Sequence, residues 1–295
     1  MKYIFKLTII IGLLVQSGWA FEKVGTTSFQ FLKVMTTARA CDMGEAYTAI
    51  SDRSDAVFFN PAGLARIENI DISVDYLDWF LDISHFAVAA SYHVPEIGTF
   101  ALQGIMTDVG NIQETRVDKL GYNADGVYLG YTGRVFQPGA MVLGLSYSRS
   151  LTDRFSFGIT AKYAREDLGI EATQNIMFDG GLIYDTGFNS LKISTVLRNF
   201  GAEVQYLDQV IIPSHLASSD SIEQKYTGKS FPLPQTFNIG IAAYLIAPGE
   251  NILMTSEDQT LLVAVDMIQP RDYDQQYNIG VEYGFKNILF LRGGY

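Results

Sequence analysis

The sequence predicts an all-β fold, an antiparallel transmembrane β-barrel with a small N-terminal hatch or plug segment. Three observations predict it. Beyond residue 20 no apolar run reaches the roughly 20 residues that a spanning helix needs, although hydrophobic residues make up 48% of the 295 and aromatics 13%. From Asn69 onward, segments of about ten residues alternate apolar with small or polar side chains, as strands with one lipid-facing side do. Ahead of them, residues 29–66 carry small residues at helical spacing without alternation, and so read as a compact plug and not as wall.

The first twenty residues read as a leader. Lys2 and Lys6 precede or punctuate an apolar stretch from Ile4 to Val15, and Gly18-Trp19-Ala20 suits a signal-peptidase cut before Phe21. A dozen apolar residues are too few to cross about 30 Å of hydrocarbon as an uncleaved anchor. The expected organisation is a signal peptide at 1–20, a hatch at 21–68 and a barrel at 69–295. A formal net charge of −11 sets nucleic acid aside, because phosphate backbones are bound by cationic surfaces. Cys41, the one cysteine, cannot form an internal disulfide or a multi-thiolate metal site. It reads as a small, partly buried apolar side chain.

Strands are expected near 70–80, 82–93, 98–107, 140–150, 153–165, 174–186, 189–200, 234–246, 260–268, 276–285 and 288–295. In the fifth, Phe155, Phe157, Ile159, Ala161 and Tyr163 share one face, opposite Ser156, Gly158, Thr160 and Lys162. Short links at 94–98, 151–153, 187–189 and 286–287 fall at one barrel end, as periplasmic turns do. The links at 107–139 and 201–234 are longer and read as extracellular loops. A short strand at 127–131 would break that parity as a wall element, so it is left out of the wall. An odd number of strands leaves an edge whose unpaired backbone groups each cost several kcal/mol in lipid. The chain is therefore expected to continue beyond Tyr295, with a miscount of one strand as the alternative.

Within the plug, Arg39-Ala40, Met43-Gly44, Ala46-Tyr47-Thr48-Ala49 and Asn60-Pro61-Ala62-Gly63-Leu64 resemble the N-terminal signature of the PorV/PorQ-like outer-membrane proteins, within the FadL-like barrel class. Further phrases follow in order: Tyr147 to Phe155, Lys162 to Glu166, Leu197 to Gly201, Pro232-Leu233-Pro234, Gly280 to Tyr283 and Leu291 to Tyr295. Cys41, Asp42 and residues 107–139 depart from the pattern. The resemblance implies a barrel of about 14 strands when complete, about 11 of them in this chain, with the Asn60 to Leu64 phrase in a hatch. Read physically, Pro61 fixes φ, Gly63 permits a tight turn and Asn60 bonds nearby backbone, so the phrase describes a rigid turn. The hatch residues Arg39, Met43, Gly44, Asn60, Pro61, Ala62, Gly63 and Leu64 are the candidate site, structural or gating.

No residue earns a catalytic, metal or cofactor assignment. His85, His93 and His215 lack zinc-pair spacing. His85 is out of phase with Phe86, Val88 and Ala90 and should point inward. Ser84 and Ser91 lie near it in sequence, which does not create triad geometry. Gly180-Gly181 and Gly293-Gly294 sit in strands, where close packing or bending accounts for them. The inward charges Arg154, Lys162, Asp179, Asp185, Lys192, Arg198, Asp266, Glu282 and Arg292 either hold the hatch or line a permeation path.

Two non-enzymatic functions follow from the resemblance. The first, favoured because the strongest phrases match the PorV/PorQ-like proteins, is protein handling in a type IX-like secretion system (cargo shuttling or surface attachment), with secretion-channel proteins and exported cargo as partners. The alternative is hatch-gated transport of fatty acids or other hydrophobic molecules, which requires an apolar pocket between hatch and wall. Both place the mature chain in outer-membrane lipid.

Overall fold

The structure, a computed structural model, describes residues 24–115, 121–123, 126–128, 130–169, 171–210 and 224–295. The leader expected at 1–20 and His215 lie outside the described residues.

Eleven long strands form an unbroken antiparallel path in chain order. They are β1 (Ile70–Asp78), β2 (Ser84–Val94), β3 (Gly98–Asp108), β4 (Gly139–Thr152), β5 (Phe155–Asp167), β6 (Ala172–Asp185), β7 (Lys192–Gly201), β8 (Thr236–Ala247), β9 (Gln259–Pro270), β10 (Gln276–Phe285) and β11 (Leu289–Gly294). Each pairs with its neighbours in sequence, and β1 and β11 are the edges. A two-residue strand, Met254–Thr255, pairs in parallel with the end of β8. All eleven expected strands are present, because period-two alternation on a half-lipid, half-packed wall leaves no other regular structure that buries the small face. Among the described residues no helix is long and apolar enough to cross a membrane.

Alternation sorts the two faces as the sequence implies. Ile72, Leu143, Ile159 and Ile176 are exposed on the outside, whereas Ser146, Ser148, Thr160 and Ala164 are buried within. An outer face this apolar is stable against lipid.

The links depart from a simple short-and-long alternation. Two excursions at one end are long, but 79–83, 168–171 and 271–275 at that end are short, and 248–258 at the other end is not. The long excursions are themselves β-structured. Ile112–Thr115 pairs with Tyr131–Phe136, Gly121–Asn123 with Gly126–Tyr128, and Val204–Val210 with Gln224–Phe231, all in small sheets separate from the wall. Residues 126–128 therefore stay out of the wall, as parity required. Arg154, expected to point inward from a strand, instead lies exposed in the link between β4 and β5.

Residues 24–69 occupy the inside of this wall. They hold two short helices, α1 (Ala38–Asp42) and α2 (Ala56–Phe59), and two 3-10 turns, Gln30–Lys33 and Pro61–Arg66. Pro61 opens the second turn, and the Asn60 side chain accepts from the Ala62 N–H there, so the Asn-Pro pair caps and starts it. This segment touches every strand. Ser54 N–H donates to Asp71 of β1 and its hydroxyl meets Ser91 of β2. Ala101 of β3 packs with Ala56, Val57 and Leu64. Ser148 of β4 donates to Ala62 O, and Gly158 of β5 lies under Pro61. Asn60 reaches Leu182 O of β6, and Arg198 of β7 donates to Phe58 O. Gly240 of β8 faces Thr48, Asp266 of β9 holds Tyr47 and Thr48, Glu282 of β10 holds Arg39, and Gly294 of β11 abuts Gly44. Laid flat, eleven strands at about 4.8 Å spacing span roughly 48 Å, while a compact segment of this length is only about 24 Å across. The sheet must curl around it, which makes the wall a barrel and residues 24–69 its hatch. All three buried apolar clusters are hatch-to-wall contacts.

Candidate functional site, a chamber between hatch and wall

The eight hatch residues singled out in the sequence fall in two patches. Arg39 is the hub of the first. Its Nε and Nη2 donate to the two Glu282 carboxylate oxygens at 3.0 and 3.2 Å, and Nη1 donates to Asp52 at 2.8 Å. Arg292 binds the same Glu282, so one wall carboxylate is clamped between a hatch arginine and a wall arginine. Beside it, Met43 is fully buried. Gly44, at φ 59°, lies so close to β11 that a Cβ there would sit 2.4 Å from Tyr295 N.

The second patch is Asn60 to Leu64, all buried. Asn60 donates to Thr48 O at 3.0 Å and to Leu182 O at 3.4 Å while accepting from Ala62 N–H at 3.1 Å. It binds hatch to hatch and hatch to wall. Two strand glycines make room for it. A Cβ on Gly158 would lie 2.2 Å from Pro61 C, and one on Gly181 would lie 2.0 Å from Asn60 Oδ1. Close packing thus accounts for Gly181 and Gly294, while Gly180 and Gly293 face open space.

The inward charges mostly pair. Lys162 binds Asp179 at 2.7 Å and Asn199 at 2.5 Å, Glu282 takes the two arginines, and Asp266 accepts from Tyr47 N–H at 3.0 Å and Thr48 N–H at 2.8 Å. Arg198 donates to Phe58 O and to Thr236 Oγ1, both at 3.1 Å. His85 points inward as expected and shares a 2.9 Å hydrogen bond with Thr107.

Within the hatch, burial raises the Asp55 carboxyl to about 6, against the Tyr47 hydrogen bond and the Arg39 charge that lower it. Burial also raises Glu45, opposed by Arg198.

The hatch does not fill the barrel evenly. Toward the end that carries the long excursions, a cavity of about 790 Å³ lies between residues 30–45 and the unpaired edge of β1, where the consecutive residues Asp75, Tyr76 and Leu77 all line it. Val34, Met35, Ala38, Leu77 and Trp79 give it apolar walls, and Asp42, Glu45 and Asp75 stand among them. A second cavity, of about 60 Å³, lies beyond, reaching Gln103, Lys162 and Arg198. Residues 33–36 and Glu45 line both, so the strand-like segment after the first 3-10 turn is the partition. Its upstream end is tied to the long-excursion end of the barrel. Lys33 pairs with Asp272, Thr27 donates to the same carboxylate at 2.9 Å, and Ser28 N–H donates to Pro232 O at 2.9 Å.

Cys41 corrects an expectation. It is an exposed free thiol lining the chamber, because α1 turns Ala40 and Met43 to the packed side and leaves Cys41 and Asp42 on the other. Among the described residues no group of His, Cys, Asp or Glu is placed to hold a metal ion. Alternation of the wall made the inward charges legible in sequence, but the chamber was not, since it lies where a non-periodic segment meets the unpaired edge of β1.

No family model matches the chain, so none supports the PorV/PorQ resemblance, and no curated protein matches it. Among solved structures, the chain is similar to the toluene transporter TodX of Pseudomonas putida. The identity is 12%, the match covers 86% of this chain and 81% of that one, and the TM-score is 0.48. It is also similar to the monoaromatic hydrocarbon channel CymD, at 11% identity over 85% of this chain and 88% of that one, with a TM-score of 0.37.

Proposed function

We propose that this chain is an outer-membrane barrel that passes small hydrophobic molecules along a path controlled by its hatch. The chamber carries the reading: about 790 Å³ of largely apolar space, walled by Leu77 and Trp79 on one side and Val34 and Met35 on the other. That size and lining suit a small organic ligand. The partition at residues 33–36 separates it from the deeper cavity, so passage requires that segment to move. The Lys33, Thr27 and Ser28 contacts at the rim are the restraints it must give up.

The test is uptake of a neutral aromatic hydrocarbon such as naphthalene into proteoliposomes. Protein-dependent uptake that falls severalfold when Ala38→Trp or Met35→Trp fills the chamber supports the reading. Uptake equal to that of protein-free vesicles sinks it. A second reading is protein handling in a type IX-like secretion system. It is favoured by the ordered PorV/PorQ-like phrases and by the two β-structured excursions at one barrel end. Crosslinking in the native membrane separates the two, because that role requires recovery of a secretion channel or exported proteins.

A further inference from the structure

A buried amide on the wall lines the deeper cavity without a partner. Gln103 of β3 points inward, 5% exposed, and stands at the cavity of about 60 Å³ beside Ile105 and Val142. Its Oε1 is sealed from solvent and bonded to nothing, and the side chain holds no hydrogen bond among the described residues. Asp55, Asp266, Asp272 and His85 also carry an unbonded atom, but each holds a hydrogen bond through its other one. The wall is shaped to keep Gln103 in place. A Cβ on Gly144 of β4 would lie 2.5 Å from Gln103 Nε2, so glycine there leaves the amide its room.

An unbonded buried amide costs free energy that leucine, filling similar space, would avoid. The charged neighbours are already engaged, Lys162 by Asp179 and Arg198 by Phe58 O and Thr236 Oγ1. We infer that Gln103 is a specificity-determining residue of the transport path and takes the hydroxyl of a small hydrophobic alcohol or phenol. Half a turn about its last side-chain bond interchanges the donor and the acceptor of the amide, and a hydroxyl answers either. The cavity of about 60 Å³ is less than half of the roughly 150 Å³ in which a benzene ring binds. The ligand therefore enters head first, hydroxyl to Gln103 and apolar body along Val34 and Met35, which line both this cavity and the larger chamber. This rests on those two spaces being the ligand path, and it narrows the class of ligand.

The pair 2-naphthol and 2-methylnaphthalene, alike in size and different only in hydroxyl against methyl, tests it. Binding is measured by equilibrium dialysis of lipid nanodiscs carrying the full chain, each ligand referred to protein-free discs so that partitioning into lipid cancels. In the unsubstituted protein the naphthol is expected to bind about tenfold more tightly, because the methyl analogue leaves the amide unpaired. In Gln103→Leu the ratio is expected to fall to within about twofold of one. That variant should also resist urea at least as well as the parent, since an unbonded buried amide has been removed. Equal binding of the two ligands to the unsubstituted protein, a comparison that depends on no variant folding, overturns the inference. So does a naphthol preference that survives in Gln103→Leu, or a variant that unfolds at much lower urea, which would show the amide to be bonded in place. If neither ligand binds, the transport path itself fails, and the inference with it.

Discussion

The carboxylate of Asp266, fully buried on β9, accepts the backbone N–H groups of both Tyr47 and Thr48. A wall residue thereby completes the hydrogen bonding of the hatch backbone at a point no water reaches. Charge-assisted bonds of this kind are worth about 1.5–3 kcal/mol each. Asp266→Ala is expected to lower stability by about 3 kcal/mol or more. Asp266→Asn keeps an acceptor in place and is expected to lose about half as much. Urea unfolding in micelles, followed at both hatch and strand probes, checks this; equal losses for the two variants would show that the bonds are not what matters.

Adjacent glycines on β6 are expected to behave oppositely. Gly180 faces open space, whereas a Cβ on Gly181 meets Asn60 Oδ1 at 2.0 Å. Gly180→Ala should change stability by no more than about 0.5 kcal/mol. Gly181→Ala, and more so Gly158→Ala against the Pro61 backbone, should cost about 1–3 kcal/mol by overpacking. Limited proteolysis of the hatch tells whether the loss is hatch displacement: faster cleavage within residues 56–66 with an unchanged strand signal is the expected pattern.

Arg39 binds Glu282 through two nitrogens and Asp52 through a third, inside a mostly buried setting. Arg39→Ala leaves Glu282 with Arg292 alone and is expected to cost about 3 kcal/mol. Arg39→Lys keeps the charge but loses the fork, at about 1–2 kcal/mol. If Lys restores full stability, charge and not bidentate geometry holds the hatch to β10.

Asp55 gives the hatch a pH dependence of definite sign. Its folded value, about 6, stands above the ordinary carboxyl because burial favours the protonated form. The stability it contributes is complete below about pH 4 and is lost as pH rises through about 6. Hydrogen exchange at hatch amides is therefore expected to speed up between pH 4 and 7 beyond the intrinsic pH effect, less so in Asp55→Asn. An unchanged pH profile in that variant would assign the effect elsewhere.

The strands were readable because each residue pair carries its own vote on which face is inside, and eleven segments voted consistently. The hatch was readable only as a departure from that rule. Its contents were not, since Asn60 meeting Gly181 and Arg39 meeting Glu282 join residues 121 and 243 positions apart, and nothing local links them. The same holds for Cys41, whose side is decided by how α1 docks. Lys162 and Asp179 were named as inward, but their pairing with each other depends on the β5–β6 register. Arg154 was misplaced because the end of alternation in a link looks like its continuation in a strand.

The hatch precedes all eleven strands in the chain, yet touches each of them. A core contacted by every strand fixes the curvature of the wall around it: the bore follows the girth of the object inside as well as the strand tilt. Enlarging a hatch residue at a glycine contact then has two outlets, expulsion of the hatch or a wider bore.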